Sequence, residues 1–153
     1  MRSALDVAKY FLCRIDREAG DTMSPLKLQK LVYYAQAWSL VLRDQPLFPE
    51  EIQAWPHGPV VYDVWNSYRD YKYTAIPEPE VCELDFSEDE IEVLEEVWNA
   101  YGELGARSLE NLTHGEQPWI EARKGLDPGE KCQEVISHET MKSYYEKYLV
   151  VEA

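Results

Sequence analysis

Residues 24–44 read SPLKLQKLVYYAQAWSLVLRD, and their pattern predicts a long helix. Ser24 can cap this helix, and Pro25 suits its first position because proline has no backbone N–H to leave unpaired. Apolar side chains then recur every three or four residues, which is the spacing of one helix face. These residues are Leu28, Leu31, Val32, Ala35, Trp38 and Leu42. Pro46 cannot continue the helix, so we expect it to end near Asp44.

The chain on either side of this segment predicts further helices. They run from Ala4 to Ala19, from Gly58-Pro59 onward, from Ser87 to Gly102, after Ser108, at Pro118 and after Ser137. Ser3 and Ser87 are each followed three positions later by an acidic residue, which is a capping-box arrangement. Residues 73–86 contain two prolines and indicate a loop with room for a short strand. The fold class is mainly α: a single compact domain, residues 1–153, of about six helices with room for one or two short strands.

Composition excludes several classes of protein. The chain has 153 residues and 45% of them are apolar, so it can bury its own core and is not intrinsically disordered. Its net charge of −14 argues against a protein that binds a phosphate backbone with its whole surface. No apolar run reaches about 18 residues, and Asp6 interrupts any signal sequence. We therefore expect no membrane partner and a cytoplasmic location.

The negative charge is concentrated in one stretch. Residues 73–106 contain eleven acidic residues and no lysine or arginine. One interpretation is a solvated helix face, which is the usual role of such a run. The other is an anionic surface that steers a basic partner, and its candidates are Glu88, Glu92, Glu95 and Glu96.

Cysteine and histidine supply few patterns of known chemistry. Cys13, Cys82 and Cys132 lie far apart, and an odd number without a CxxC pair fits a reducing compartment, with neither a disulfide framework nor a zinc site. His57 and His114 are the histidines that could serve a catalytic or metal site, but no cysteine stands at a useful spacing from either. We expect no metal and no cofactor.

Three segments mix aromatic, polar and turn residues in a way that a simple amphipathic helix does not need. The first is LKLQKLVYYAQ, residues 26–36. Lys27 and Lys30 share one helix face, and Gln29, Tyr33 and Gln36 can line the flank beside it. The alternative interpretation is a core helix with a solvated basic face.

The second segment is AWPHGPVVYDVW, residues 54–65. Its two prolines stiffen the backbone and Gly58 supplies any dihedral angle that the turn needs. His57 is expected at the N-terminus of a helix. The alternative is a rigid corner whose Trp55 fills the core.

The third segment is SLENLTHGEQPW, residues 108–119. Thr113 and His114 are expected to end one short helix, and Pro118 and Trp119 to begin the next. His114 could bond a backbone carbonyl. A purely structural corner is again the alternative.

These segments, together with ALDVAKYFL at residues 4–12, give the chain its resemblance to a known family. In their order and separation the chain resembles the Panacea domain family, the SocA-like antitoxins, over roughly residues 4–148. The motif or partner-binding residues that the resemblance suggests are Lys27, Gln29, Lys30, Tyr33, Tyr34, Trp55, His57, Gly58, Pro59, Thr113, His114, Pro118 and Trp119.

The resemblance implies an α-helical antitoxin of a bacterial or phage toxin–antitoxin pair. Such proteins neutralise a cognate toxin encoded nearby by direct protein binding, or deliver it to a protease as an adaptor. The sequence does not choose between these two routes. Two other classes stay open. One is a small hydrolytic enzyme that uses His57, His114 and a carboxylate, and the other is a DNA-binding autorepressor that uses Lys27, Lys30 and nearby arginines, which the net charge disfavours.

Overall fold

The long helix predicted from residues 24–44 lies at the centre of the fold. The computed structural model describes residues 2–127 and 129–149. The elements are α1 (Ala4–Arg14), α2 (Pro25–Leu42), β1 (Gln53–Trp55), β2 (Gly58–Val60), α3 (Tyr62–Tyr68), α4 (Glu88–Tyr101), α5 (Ala106–His114), α6 (Gln117–Arg123) and α7 (His138–Tyr145). Short 3-10 turns follow α3 and α7. The mainly α class is confirmed.

Helix α2 is surrounded by other elements. Helices α1, α4, α5 and α7 pack against it, and β2 and α3 cover a further side. A helix with apolar residues on most of its faces is stable only when it is buried in this way. The predicted start is confirmed, since the Ser24 side chain accepts a hydrogen bond from the Lys27 N–H. The helix ends at Leu42, close to the predicted Asp44.

Capping boxes place the starts of α1 and α4 as predicted. Ser3 pairs with Asp6, and Ser87 pairs with Glu90, each side chain accepting from the other residue's backbone N–H. Helix α4 ends at its predicted Gly102 cap. Helix α1 stops at Arg14, earlier than the predicted Ala19, because the backbone turns extended at the next residue.

The prediction that Gly58-Pro59 opens a helix is wrong. These residues form β2, which pairs antiparallel with β1 in the register Trp55–Gly58 and Gln53–Val60. Gly58 has a φ of +115°, which lets the chain reverse tightly after His57. Helix α3 begins only at Tyr62.

The short helices near the C-terminal half also differ from expectation. Helix α5 begins at Ala106 with Gly105 in the cap position, so Ser108 is inside the helix and does not cap it. Pro118 stands in the first turn of α6, as predicted.

The segment of residues 72–87 contains no strand. A hydrogen bond from the Ile76 N–H to the Met23 carbonyl connects this segment to the core.

A disulfide joins Cys13 of α1 to Cys82, which contradicts the prediction that the cysteines do not pair. The two residues are 69 positions apart in sequence, and only the return of the segment of residues 72–87 across α1 brings them together. Cys132 is buried and free. Within residues 2–127 and 129–149, no helix is long and apolar enough to cross a membrane, and no group of His, Cys, Asp and Glu could hold a metal.

Candidate functional site

Side chains of the first motif segment hydrogen-bond the backbone of the second. The Gln29 amide of α2 brackets Val61: its oxygen accepts from the Val61 N–H at 3.0 Å and its nitrogen donates to the Val61 carbonyl at 3.2 Å. The Lys30 amine donates to the Pro59 carbonyl at 3.2 Å. Because these partners are backbone groups, α2 fixes the position of the β1–β2 hairpin irrespective of its side chains.

Lys30 is fully buried beneath Gly58. A Cβ atom on Gly58 would lie 2.6 Å from Lys30 Cε and 2.9 Å from Thr113 Oγ1, so the backbone of the second segment sits directly on both other segments. Burial lowers the pKa of Lys30 to about 7, and the nearby Glu110 carboxylate opposes this shift. The expected solvated basic face of α2 is therefore wrong at Lys30.

Lys27, the other lysine of that face, is also engaged. Its amine donates to the Gly102 carbonyl at 2.6 Å, at the C-terminal end of α4. Burial lowers the pKa of Lys27, and Asp21 opposes the shift. Neither lysine of the DNA-binding hypothesis is thus presented freely to a phosphate backbone.

The two candidate histidines share an electrostatic neighbour, the Glu110 carboxylate. His57 Nδ1 lies 3.5 Å from Glu110 Oε1, and the His57 side chain is 78% exposed in the turn between β1 and β2. It is not at a helix N-terminus as expected, because α3 starts only at Tyr62. His114 stacks on Trp119 with ring centres 4.2 Å apart. Burial lowers the pKa of His114, and Glu110 is again the opposing charge.

The third segment holds the hairpin from its other side. Trp119 Nε1 donates to the Trp55 carbonyl at 2.7 Å, and Arg123 Nη1 donates to the Ala54 carbonyl at 3.0 Å. Strand β1 is therefore fixed by α6, while β2 is fixed by α2. The Trp55 backbone, more than its half-buried ring, takes part in this junction.

Buried tyrosines converge on a glutamate that sequence reasoning missed. The hydroxyls of Tyr34 and Tyr145 donate to Glu116 Oε1 at 2.6 and 2.8 Å, and the hydroxyls of Tyr33 and Tyr145 are 2.8 Å apart. Tyr34 also stacks on Tyr101 at 4.0 Å. Burial raises the pKa of Glu116, while the tyrosine hydrogen bonds oppose the shift. The adjacent tyrosines of α2 were the available signal, since a buried hydroxyl needs a partner.

Gln36 anchors the chain that follows α2. Its side-chain oxygen accepts from the Leu47 N–H at 2.7 Å, and its nitrogen donates to the Phe48 carbonyl at 2.9 Å. The motif glutamines thus serve as internal braces for irregular backbone.

The motif residues are mostly interior. Among those suggested from sequence, His57 is exposed, Lys27, Trp55 and His114 are half-buried, and the others are buried. The exposed surface must therefore supply whatever contacts a partner.

The predicted acidic surface divides into two sides of α4. Glu95 turns toward α1, where it accepts from the Tyr10 hydroxyl and pairs with Arg14 at 3.0 Å. Arg14 lowers the pKa of Glu95. Glu88, Glu92 and Glu96 are exposed, and the last two border a groove.

This groove, of about 740 Å³, lies between the C-terminal half of α2, α4 and the residues after α7. It is lined by Trp38, Leu42, Arg43, Gln45, Asp89, Glu92, Val93, Glu96, Val97, Ala100, Tyr101, Tyr148 and Leu149. The Trp38 indole donates to the Tyr101 hydroxyl at 2.9 Å, which connects the groove floor to the tyrosine cluster.

Comparison with known proteins gives one match. The family model described as "Antitoxin SocA-like, Panacea domain" matches residues 28–120, which is more than half of the chain. This range contains all three motif segments except the first residues of α2, and leaves α1 and α7 outside. A search of curated proteins and a search of solved structures each found no match.

Proposed function

The chain belongs to the SocA-like antitoxin family with a Panacea domain, and we propose from this premise that it neutralises a cognate toxin by binding the toxin protein directly. The toxin is expected to be encoded beside it. In this account the chain acts as a binding protein and carries out no chemistry on the toxin.

The interior use of the motif residues supports this proposal. The side chains of Gln29 and Lys30 hydrogen-bond the backbone of β2 and of Val61 just after it. Trp119 hydrogen-bonds the backbone of β1 from the other side. Side chains that bond backbone in this way hold the shape of the junction. The motif then defines a rigid scaffold, and the outer surface selects the partner.

The second candidate is a small hydrolytic enzyme, and one observation favours it. His57 Nδ1 lies 3.5 Å from Glu110 Oε1, and the Glu110 charge also opposes the lowering of the His114 pKa, so one carboxylate influences both imidazoles. However, the His114 ring is covered by Trp119, and the groove described above is lined by none of these three residues. We therefore rank it below direct binding.

Co-expression tests the proposal. Cells that express the neighbouring toxin should stop growing, and cells that also express this chain should grow, with the two proteins co-purifying as a complex. Failure to protect would contradict the proposal. If His57→Ala or Glu110→Gln abolished protection while the variant stayed folded and bound to the toxin, the hydrolytic candidate would replace direct binding.

Toxin lifetime separates the two routes of neutralisation. Simple sequestration leaves the toxin half-life unchanged or longer, whereas delivery to a protease shortens it. The measurement is a pulse-chase of the toxin in cells with and without this chain.

The same proposal extends the domain over residues 1–153, because α1 and α7 pack on α2 outside the matched range.

The proposal includes a cytoplasmic location for the chain and its toxin. In that compartment the Cys13–Cys82 disulfide would be held as two thiols. Rapid alkylation of the protein in intact cells, followed by mass spectrometry, reports which form is present.

A further inference from the structure

We propose that the groove between α2 and α4 is the docking site for the toxin, and that its occupant is a basic amphipathic helix of the toxin. This inference rests on the proposed function and specifies the surface of the chain that contacts the toxin. The groove is distinct from the place where the three motif segments meet, since none of its lining residues belongs to the β1–β2 hairpin.

Three of the apolar side chains that line the groove are well exposed. Leu42 is 42% exposed, Tyr148 is 59% exposed and Leu149 is 43% exposed, and all three line it. Buried Val93 and Val97 form part of its floor. The groove therefore combines exposed apolar side chains with acidic ones, which suits a partner surface that carries both apolar and charged residues.

The charge of the rim selects the partner. Asp89, Glu92 and Glu96 line the groove from successive turns of α4, and all are exposed. Arg43 is the basic residue of the lining, and its guanidinium donates to Ser39 Oγ at 2.9 Å. Because acids outnumber bases, an occupant with lysines or arginines beside its apolar face is favoured.

The length of the groove fits a short helix. From Asp89 to Ala100 the α4 axis spans about 16 Å at the rise of an α-helix, and a partner helix of about three turns is equally long. Helix-in-groove recognition uses apolar anchors at positions i, i+3, i+4 and i+7, with charged residues flanking them.

A second copy of this chain is a poorer occupant. In a symmetric dimer the same patch faces itself, so the acidic rim of one copy would lie against the acidic rim of the other. Like charges in such an arrangement oppose association, whereas a basic partner would gain from them.

Matched pairs of variants test the groove against the purified toxin. Glu92→Lys with Glu96→Lys should weaken toxin binding at low salt by at least about tenfold. The control, Glu80→Lys with Glu121→Lys, makes the same charge change at exposed positions outside the groove and should bind like wild type.

A second pair tests the exposed apolar side chains of the groove without changing charge. Leu42→Gln with Leu149→Gln should also weaken binding at least about tenfold, because it removes exposed apolar anchors. Leu112→Gln with Leu126→Gln is the control, since both leucines are comparably exposed and lie outside the groove. Circular dichroism confirms that each variant is folded.

A peptide probe tests the chemistry of the occupant. A fluorescent amphipathic helix of leucine and lysine should bind the wild-type chain and lose affinity in both groove variants, whereas its leucine–glutamate counterpart should not bind. Equal binding of both peptides, or of the groove variants and their controls, would overturn the inference.

The outcomes separate this inference from the proposed function. If wild type protects cells and both groove variants protect as well as their controls, the groove assignment is wrong and the antitoxin role stands. If wild type itself fails to protect, the proposed function is wrong. A dimer in light scattering that the groove variants dissociate would assign the groove to a second copy and overturn the inference.

Discussion

Replacing Lys30 with methionine should change how the stability of the chain depends on pH. The Lys30 amine is fully buried, and burial lowers its pKa from 10.5 to about 7. In the unfolded chain the same amine keeps its ordinary pKa, so between the two values the unfolded state binds more protons. The stability that depends on neutral Lys30 is fully present only above 10.5, the pKa of the amine in the unfolded chain. It is lost as the pH falls through about 7, the pKa in the folded chain.

The size of the effect follows from these two pKa values. Between pH 9 and pH 6 the wild-type chain should lose about 2–3 kcal/mol of unfolding free energy through Lys30. Methionine removes this loss but leaves the Pro59 carbonyl without its donor, which costs about 1–3 kcal/mol at every pH. As the pH falls from 9 to 6, the unfolding free energy of the variant should therefore rise by about 2–3 kcal/mol relative to that of wild type.

Urea unfolding at a series of pH values measures this difference. Glu110 and His114 are the neighbouring titratable groups, and they remain in both proteins. Lys131→Met, at an exposed position, is the control and should follow wild type at every pH. A difference between Lys30→Met and wild type that did not change with pH would refute the burial of the amine and, with it, the structural reading of the motif.

Three further changes test other parts of the scaffold. Gly58→Ala should lose about 2–4 kcal/mol of unfolding free energy in urea, because its φ is +115° and the new Cβ would meet Lys30 Cε; a loss below about 1 kcal/mol would contradict this. Burial raises the pKa of Glu116, so the stability from its neutral form is present below the ordinary glutamate value and declines as the pH rises through the raised one. Thermal denaturation should show this decline in wild type and a flatter profile in Glu116→Gln, and identical profiles would count against it. Cys13→Ser with Cys82→Ser should lower stability by about 4 kcal/mol under oxidising conditions, from the loop that the disulfide closes, and the difference should vanish when wild type is reduced.

Local signals explain which elements could be predicted from sequence. The capping boxes at Ser3 and Ser87 and the Ser24-Pro25 start act within one turn of helix, so the residues that form them are neighbours in the chain. The strand at Gly58-Pro59 depends instead on pairing with β1, which no local pattern reveals. The same residues also suit a helix start, and the tertiary pairing decides between the two.

The motif patterns single out residues that the structure brings together, but they reveal neither the roles of these residues nor the part played by Glu116. A lysine on a helix ordinarily reaches solvent, and only the hairpin lying over Lys30 buries it. Glu116 lies between two motif residues in the sequence, and no local pattern indicates a role for it. Its role as a hydrogen-bond acceptor arises only because the fold brings Tyr34 and Tyr145 to it. The Cys13–Cys82 pair has no spacing signal because the chain folds back over many residues.

Mass spectrometry of the toxin, before and after it meets this chain, tests the central claim most directly. A native spectrum should show a non-covalent complex, and the toxin released from it by denaturation should have an unchanged intact mass. A toxin whose mass is altered after contact with the chain, or which is neutralised without any complex in the native spectrum, would contradict an account based on binding alone.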